Sequence, residues 1–333
     1  MKHIQTLKAA ALAAFTMAGG VVDAQAITID TVTVGNIGNA ADSNGFGAVA
    51  YEYQIGTYEV TNSQYAAFLN AVAATDTFGL YNTNMGSQVF GGITRSGTSG
   101  SFTYTVKSGF ENKPVVYVSF WDAVRFANWL NNGQGNASTE TGSYTLTSGG
   151  ISANTVTRNE GANWVVASEN EWYKAAYYSP NRNGTGNGGY WLHATQSTTL
   201  GQNNPFTDAN GANYNDGDSA VYTGSNDGAL PVGTYVNAGS FYGTFDQGGN
   251  VWEWNESIIG TSRVLRGGSW LGYEDYLRSS LRLDYDATGE FLDFGFRVAS
   301  LAPVPEPSAY GALMGAMALG VVMMRRRRAR GTL

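Results

Sequence analysis

Phe245-Asp246-Gln247-Gly248-Gly249-Asn250-Val251-Trp252-Glu253-Trp254, followed after a short interval by Arg263-Val264-Leu265-Arg266-Gly267-Gly268-Ser269-Trp270-Leu271-Gly272, is the stretch on which the fold turns. In its first half, acidic and amide side chains alternate with glycines and two tryptophans; its second half is strand-like and closes on a glycine pair. Glycine permits sharp turns and the acids and amides supply hard oxygen atoms, so the first half suits a turn held by a cation. A plainer reading makes Asp246 and Glu253 turn and salt-bridge acids partnered by Arg263 or Arg266.

Working outward, three helix starts share one chemistry. Thr61-Asn62-Ser63-Gln64 reads as a capping box, with Tyr65, Phe68, Leu69 and Val72 following at helical spacing. Ser119 to Asp122 opens a second helix and Ser168 to Glu171 a third, which Ser179-Pro180 stops. Thr31 to Val34 and Tyr51 to Ile55 alternate as half-buried strands do. Between these elements lie Gly/Asn/Thr/Ser-rich segments, 81–112, 131–163 and 181–240, of a length that is usually functional or held by something other than a core. No internal repeat and no Pro-rich linker before Ala302 divides the chain, which reads as one irregular domain.

Composition agrees: 333 residues carry 44 Gly, 20 Tyr and 8 Trp, with only 14% charged. The formal charge is -7, but without its two end segments the chain has 12 basic and 24 acidic residues. A body so acidic argues against nucleic acid and anionic lipid as its partners and is compatible with bound cations. Cysteine is absent, which removes disulfides, thiolate metal sites and cysteine nucleophiles.

The ends read as addresses. Lys2 and Lys8 precede an apolar run from Ala9 to Val22, and Ala24-Gln25-Ala26 offers the small residues that a signal peptidase reads. Residues 1–26 are therefore expected to be a secretory signal, the alternative being an alanine-rich helix of the domain. At the other end, Val304-Pro305-Glu306-Pro307 leads into an apolar segment from Ser308 to Met324 and then Arg325 to Arg328. As a helix that segment spans roughly 25 Å, enough for a thin bilayer, with the arginines on the cytoplasmic side. Residues 303–333 thus resemble the PEP-CTERM sorting signal of Gram-negative bacteria. The resemblance implies an exosortase as partner, a membrane anchor that lasts until the tail is cut, and delivery to the cell surface or extracellular matrix. The domain between the signals spans 27–302.

Several segments together resemble the formylglycine-generating enzyme, or sulfatase-modifying factor, family. They are Tyr58 to Asn62, Pro114 to Ala123, Ala167 to Trp172, Gly249 to Trp254, Arg266 to Trp270 and Phe294 to Arg297, in family order. The resemblance implies a C-type-lectin-like α+β fold commonly stiffened by calcium. The family's catalytic members bind copper through two cysteines, at positions that here hold Gly272 and Leu277. Neither side chain can bind copper or exchange with a thiol. A related branch, the ergothioneine-type sulfoxide synthases, needs three histidines, whereas this chain has His3 and His193.

Carried over residue by residue, one family calcium site would use the Asp246 side chain, the Gly249 and Val251 carbonyls and the Glu253 carboxylate. A second would use Asn213 and the Tyr214 carbonyl, with further ligands in 216–227. Arg266, Arg282 and Arg297 are expected to pair with buried acids such as Glu171 or Asp293, ligand binding by Arg282 being the alternative. Asp284, Asp286, Glu290 and Asp293 form an acidic run whose spacing does not fix a catalytic pair. His193 reads as a packed residue, and 184–189 as a turn that lacks the Lys-Ser/Thr of a phosphate loop. Most tryptophans read as core. Tyr190, Trp191, Phe241, Tyr242, Trp270 and Tyr273 are candidates for an aromatic binding face near the former active site. The leading expectation is an exported, non-catalytic, calcium-stiffened module that binds a matrix polysaccharide or a surface protein. The competing ones are an enzyme with chemistry rebuilt around Arg282 and Asp284, and a structural matrix protein.

Overall fold

Reciprocal hydrogen bonds close all three capping boxes in the computed structural model, which describes residues 26–201, 210–217 and 228–301. Thr61, Ser119 and Ser168 accept the N–H of the residue three places on, and the side chains of Gln64, Asp122 and Glu171 reach back to the cap N–H. Two orphan donors are thereby satisfied at each start. The export signal (but for Ala26), the C-terminal sorting signal and most of the 216–227 segment lie outside the described residues.

Strands β1 (Thr31–Val34) and β2 (Tyr53–Gly56) lead into helix α1 (Asn62–Val72). The segment 81–112, expected to be irregular, holds a short helix α2 (Asn84–Ser87) and a hairpin, β3 (Ile93–Ser96) with β4 (Thr103–Val106), that packs on α1. Helix α3 (Phe120–Asn131) follows and is buried from Phe120 to Leu130 on every face, so it is a central rod rather than a one-sided surface helix. A short helix α4 (Ser148–Ser152) interrupts the second expected loop, ahead of β5 (Trp164–Val166) and α5 (Glu169–Tyr177).

A minimal hairpin of β6 (Tyr178–Ser179) and β7 (Gly189–Tyr190) comes next, and then β8 (Trp252–Ile259) and β9 (Ser262–Arg266). The chain ends in β10 (Leu283–Asp286), β11 (Phe294–Gly295) and β12 (Val298–Ser300). Two four-stranded sheets result, ordered β1-β2-β12-β5 and β10-β9-β8-β11. Only β11 against β8 is parallel within them, and a register shift between Asn255 and Ile258 bends β8 against β9.

Tyr65, Phe68, Phe126, Trp129 and Phe296 make the centre of the core, with ring centroids 5.4–6.4 Å apart. Trp121, Trp129, Trp172, Trp252 and Trp254 are buried as expected, while Trp164 is half-buried. The architecture is α+β, short on regular structure and joined by one dominant core. Among the described residues no helix is long and apolar enough to cross a membrane.

Candidate functional site

Backbone geometry explains why the opening stretch is so rich in glycine. Asp246, Gly249 and Asn250 all take positive φ, and a Cβ on Gly249 would stand 2.3 Å from the Asn213 carbonyl oxygen. Only glycine fits there, and the residue pins the 246–250 turn to the 213 segment. Asn250 completes the knot: its Oδ1 accepts from Asn213 Nδ2 and Leu230 N, and its Nδ2 donates to Glu59 Oε1 at 3.0 Å. Gly267 and Gly268 are also at positive φ, and a Cβ on Gly268 would meet Leu277 Cδ1 at 2.7 Å. The glycine pair lets the segment after β9 fold tightly against the short 3-10 turn Glu274–Leu277.

The knot's electrostatics centre on Arg297 rather than on Arg263 or Arg266. Arg297 Nε and Nη2 donate to Glu253 Oε2 and Oε1 at 2.6 and 2.7 Å, and Trp172 Nε1 donates to Oε2 at 2.8 Å. Asp246 Oδ2 accepts from Gly233 N at 2.6 Å, while Glu59 Oε2 is buried, without a hydrogen bond, 4.0 Å from Arg297. Three carboxylates thus share one guanidinium. Burial, with the Asp246 charge adding, drives Glu59 well above the usual carboxylate range. Burial also pushes Asp246 up to about 6, helped by Glu253.

Arg266 and Arg282 pair with neither Glu171 nor Asp293; both converge on Glu169 of α5. Arg266 reaches Oε1 at 2.6 Å and Arg282 reaches Oε2 at 2.8 Å. Glu171 belongs to Arg158, and Asp293 accepts from Ser269 Oγ at 2.8 Å. Arg263 donates to Asn154 and to the carbonyls of Glu256 and Val156. The acidic run disperses: Asp284 and Asp286 are exposed on β10, and Glu290 bonds Asn82. His193 is fully buried, with its pKa lowered to about 4 chiefly by that burial.

Fit to a cation can be read from these groups. Among the described residues no three His, Cys, Asp or Glu side chains stand close enough to hold a metal on their own. The expected sites instead lean on carbonyl and amide oxygens. Two buried oxygens, Glu59 Oε2 beside the first and Asn213 Oδ1 in the second, have no hydrogen-bond partner. A hard divalent ion beside Asp246 would supply the positive charge that the carboxylates lack, sharing Glu253 with Arg297. The residues therefore fit calcium by charge and by donor type.

Gly272 and Leu277 part company. Gly272 lines an open cleft of about 460 Å³, walled by Trp252, Leu271, Tyr273, Tyr276 and Leu283, with Arg282 and Asp293 at its polar side. Leu277 is 0% exposed and packs with Ala212 and Tyr214. Of the seven candidate ligand-binding residues, only Tyr273 and Arg282 meet in this cleft. Trp270 is buried against Phe90 at 4.6 Å, and Tyr242 reaches back to Asn36. Tyr190 and Trp191 stand by a different groove, beside Asp42 and Arg182. Tyr276, which sequence reasoning missed, sits three residues after Tyr273, within the 3-10 turn that Tyr273 caps.

With this geometry in hand, comparison with known proteins gives one family and several distant structures. The model of the sulfatase-modifying factor enzyme 1-like domain matches residues 33–302. The crystal structure of CarF is 22% identical over 82% of this chain and 98% of its own, with a TM-score of 0.49. Variable protein 1 of Treponema denticola is 21% identical over 83% and 96%, with a TM-score of 0.48. PvdO from Pseudomonas aeruginosa is 18% identical over 82% and 92%, at 0.44. No curated protein matches. The family model covers most of the chain, and the chain belongs to the sulfatase-modifying factor enzyme 1-like family.

Proposed function

We propose that the chain is an exported, non-catalytic member of this family whose cleft at Gly272 grips an extended segment of a partner polypeptide. The observation that carries this reading is the wall of the cleft. Trp252, Tyr273, Tyr276, Leu271 and Leu283 offer rigid, largely apolar contacts, and the position that would need a thiolate is the backbone of Gly272. Exposed Tyr285 and Phe291 extend the apolar surface beyond the rim, as at a protein-binding face. Arg282, a third exposed and fixed by Glu169, stands ready to orient a peptide carbonyl or carboxylate.

Calcium at the Asp246–Glu253 turn and at Asn213 would stiffen the loops behind the cleft, and the orphaned Asn213 and Glu59 oxygens support that part. The terminal segments support export followed by exosortase trimming near Pro305. Mass spectrometry of the protein released by its native host would then find a chain that begins near Ile27 and lacks residues beyond the Pro-Glu-Pro segment. For the cleft, a peptide array probed with the purified chain should retain aromatic-rich peptides, and Tyr273→Ala with Tyr276→Ala should abolish retention. Retention unchanged in that double variant would remove the cleft from the account. Oxidation of a sulfatase cysteine peptide would overturn the non-catalytic reading.

A further inference from the structure

On the hairpin β6–β7 lies a second groove, of about 500 Å³, unlike the cleft in every wall. Asp42, Tyr178, Arg182, Asn183, Asn187 and Tyr190 line it, and its volume lies within the range of small-ligand sites, about 300–1,000 Å³. The walls are built rather than incidental. Tyr190 OH donates to Ala40 O at 2.8 Å and accepts from Asn39 Nδ2 at 2.6 Å, which fixes its ring. A Cβ on Gly188 would collide with Tyr178 OH at 2.2 Å, so glycine is what lets the 181–188 loop close on that ring. The loop is tied internally by Asn183 N to Asn187 O and by Asn183 Nδ2 to Gly188 O.

Arg182 is the distinctive group. Of the nine arginines among the described residues, seven pair with a carboxylate, and Arg263 is held by Asn154 and two carbonyls. The ninth, Arg182, lays its guanidinium 3.9 Å from the centre of the Trp191 ring and has no carboxylate partner among the described residues. The stacking holds it flat and oriented with its donors uncommitted. Asp42 shares the groove; its carboxylate is held by Tyr173, Asn44 and Ser43. Its negative charge balances Arg182 across the site.

We propose that this groove is a binding site for a neutral polysaccharide. Pyranose rings present vicinal hydroxyls, which need donors and acceptors side by side, and an apolar C–H face, which stacks on an aromatic ring. Arg182 supplies donors, Asp42 and the amides of Asn183 and Asn187 supply acceptors, and Tyr178 and Tyr190 supply rings. The balanced local charge offers no net field for an anion, and the body's excess of acidic residues repels a polyanion. The site is independent of the cleft at Gly272 and of whatever that cleft binds.

Affinity electrophoresis of the purified full chain tests this, in native gels cast with dextran, a β-glucan, a galactomannan or polygalacturonate. At least one neutral polysaccharide should retard the protein. Arg182→Ala and Asn187→Ala should each weaken that retardation, by about tenfold in affinity for the arginine. Tyr273→Ala, in the other cleft, should leave it unchanged, and matching melting temperatures would confirm that the variants fold. No retardation by any neutral gel, or retardation that survives both groove variants, would overturn the assignment. Stronger, salt-sensitive retardation by polygalacturonate would replace it with an anion site.

Discussion

Two buried ion clusters in this molecule are built from the same parts in opposite proportion. At Glu169 two guanidiniums, Arg266 and Arg282, share one carboxylate; at Arg297 three carboxylates, Glu59, Asp246 and Glu253, surround one guanidinium. The cation-rich cluster draws on the backbone, although Arg266 Nη2 and Arg282 Nε make no well-directed hydrogen bond. Arg266 also donates to the Ser279 and Leu281 carbonyls and lies over Phe46, so its extra charge meets oxygen dipoles and a ring face. The carboxylate-rich cluster is left with surplus negative charge and an orphaned oxygen, Glu59 Oε2. Here backbone carbonyls meet the surplus cation, whereas burial disfavours the charge of the surplus carboxylates, which a proton or a metal ion would complete.

Removing the one cation of the acidic cluster should have the largest effect. Arg297→Met leaves Glu253 unpaired in a fully buried site, and breaking such a pair costs about 3–5 kcal/mol. Arg266→Met should cost less, because Arg282 still holds Glu169. Urea midpoints of the two variants measure the difference, and equal losses would mean that the clusters are not the opposites described. Next in size is chelation. With a dissociation constant of about 10 μM and about 1 mM free calcium, linkage predicts about 2.7 kcal/mol of stabilisation. Reversible melts with and without a chelator should differ, and the difference should shrink in Asp246→Asn; coincident midpoints would remove calcium from the acidic cluster.

What could be read from sequence follows from how local the interaction is. The capping boxes were legible because Ser119 and Asp122, or Ser168 and Glu171, meet three residues apart whatever the rest of the chain does. The pairing of Arg297 with Glu253 spans 44 residues and is decided by the parallel contact of β11 with β8, which no local pattern encodes. The hairpin of Ile93–Ser96 with Thr103–Val106 hid in a Gly/Ser/Thr-rich run because its strands are four residues long and largely exposed. The aromatics of the candidate binding face looked like one set in sequence. They divide between two grooves and the core because Tyr190 sits on β7 and Tyr273 follows β9, in different sheets.

A smaller effect should appear with pH. Asp246 is pushed up to about 6 in the folded chain, so between pH 4 and 6 the folded state holds a proton that the unfolded state releases. In chelator, this group's contribution is fully present below about pH 4 and is lost as pH rises through 6. Asp122, pushed up to about 8, and Glu256, to about 7, act in the same sense and carry the decline on to higher pH. Asp246→Asn should therefore flatten only the lower part of the stability profile. A slope between pH 4 and 6 that is unchanged in this variant would remove Asp246 as a titrating group and leave the protons to Glu59, Asp122 and Glu256.

The smallest effect tests the cation-rich cluster. Arg282 is a third exposed on its side chain and shares Glu169 with a fully buried Arg266 that already reaches Oε1 twice, through Nε and Nη2. Water screens what Arg282 adds, so Arg282→Ala should cost no more than about 1 kcal/mol of stability. The same change removes the charged group at the polar side of the Gly272 cleft, so peptide retention should fall much further than the melting temperature. If stability and retention fell together, Arg282 would be a third essential member of the Glu169 cluster, and its place in the cleft would be a by-product of packing.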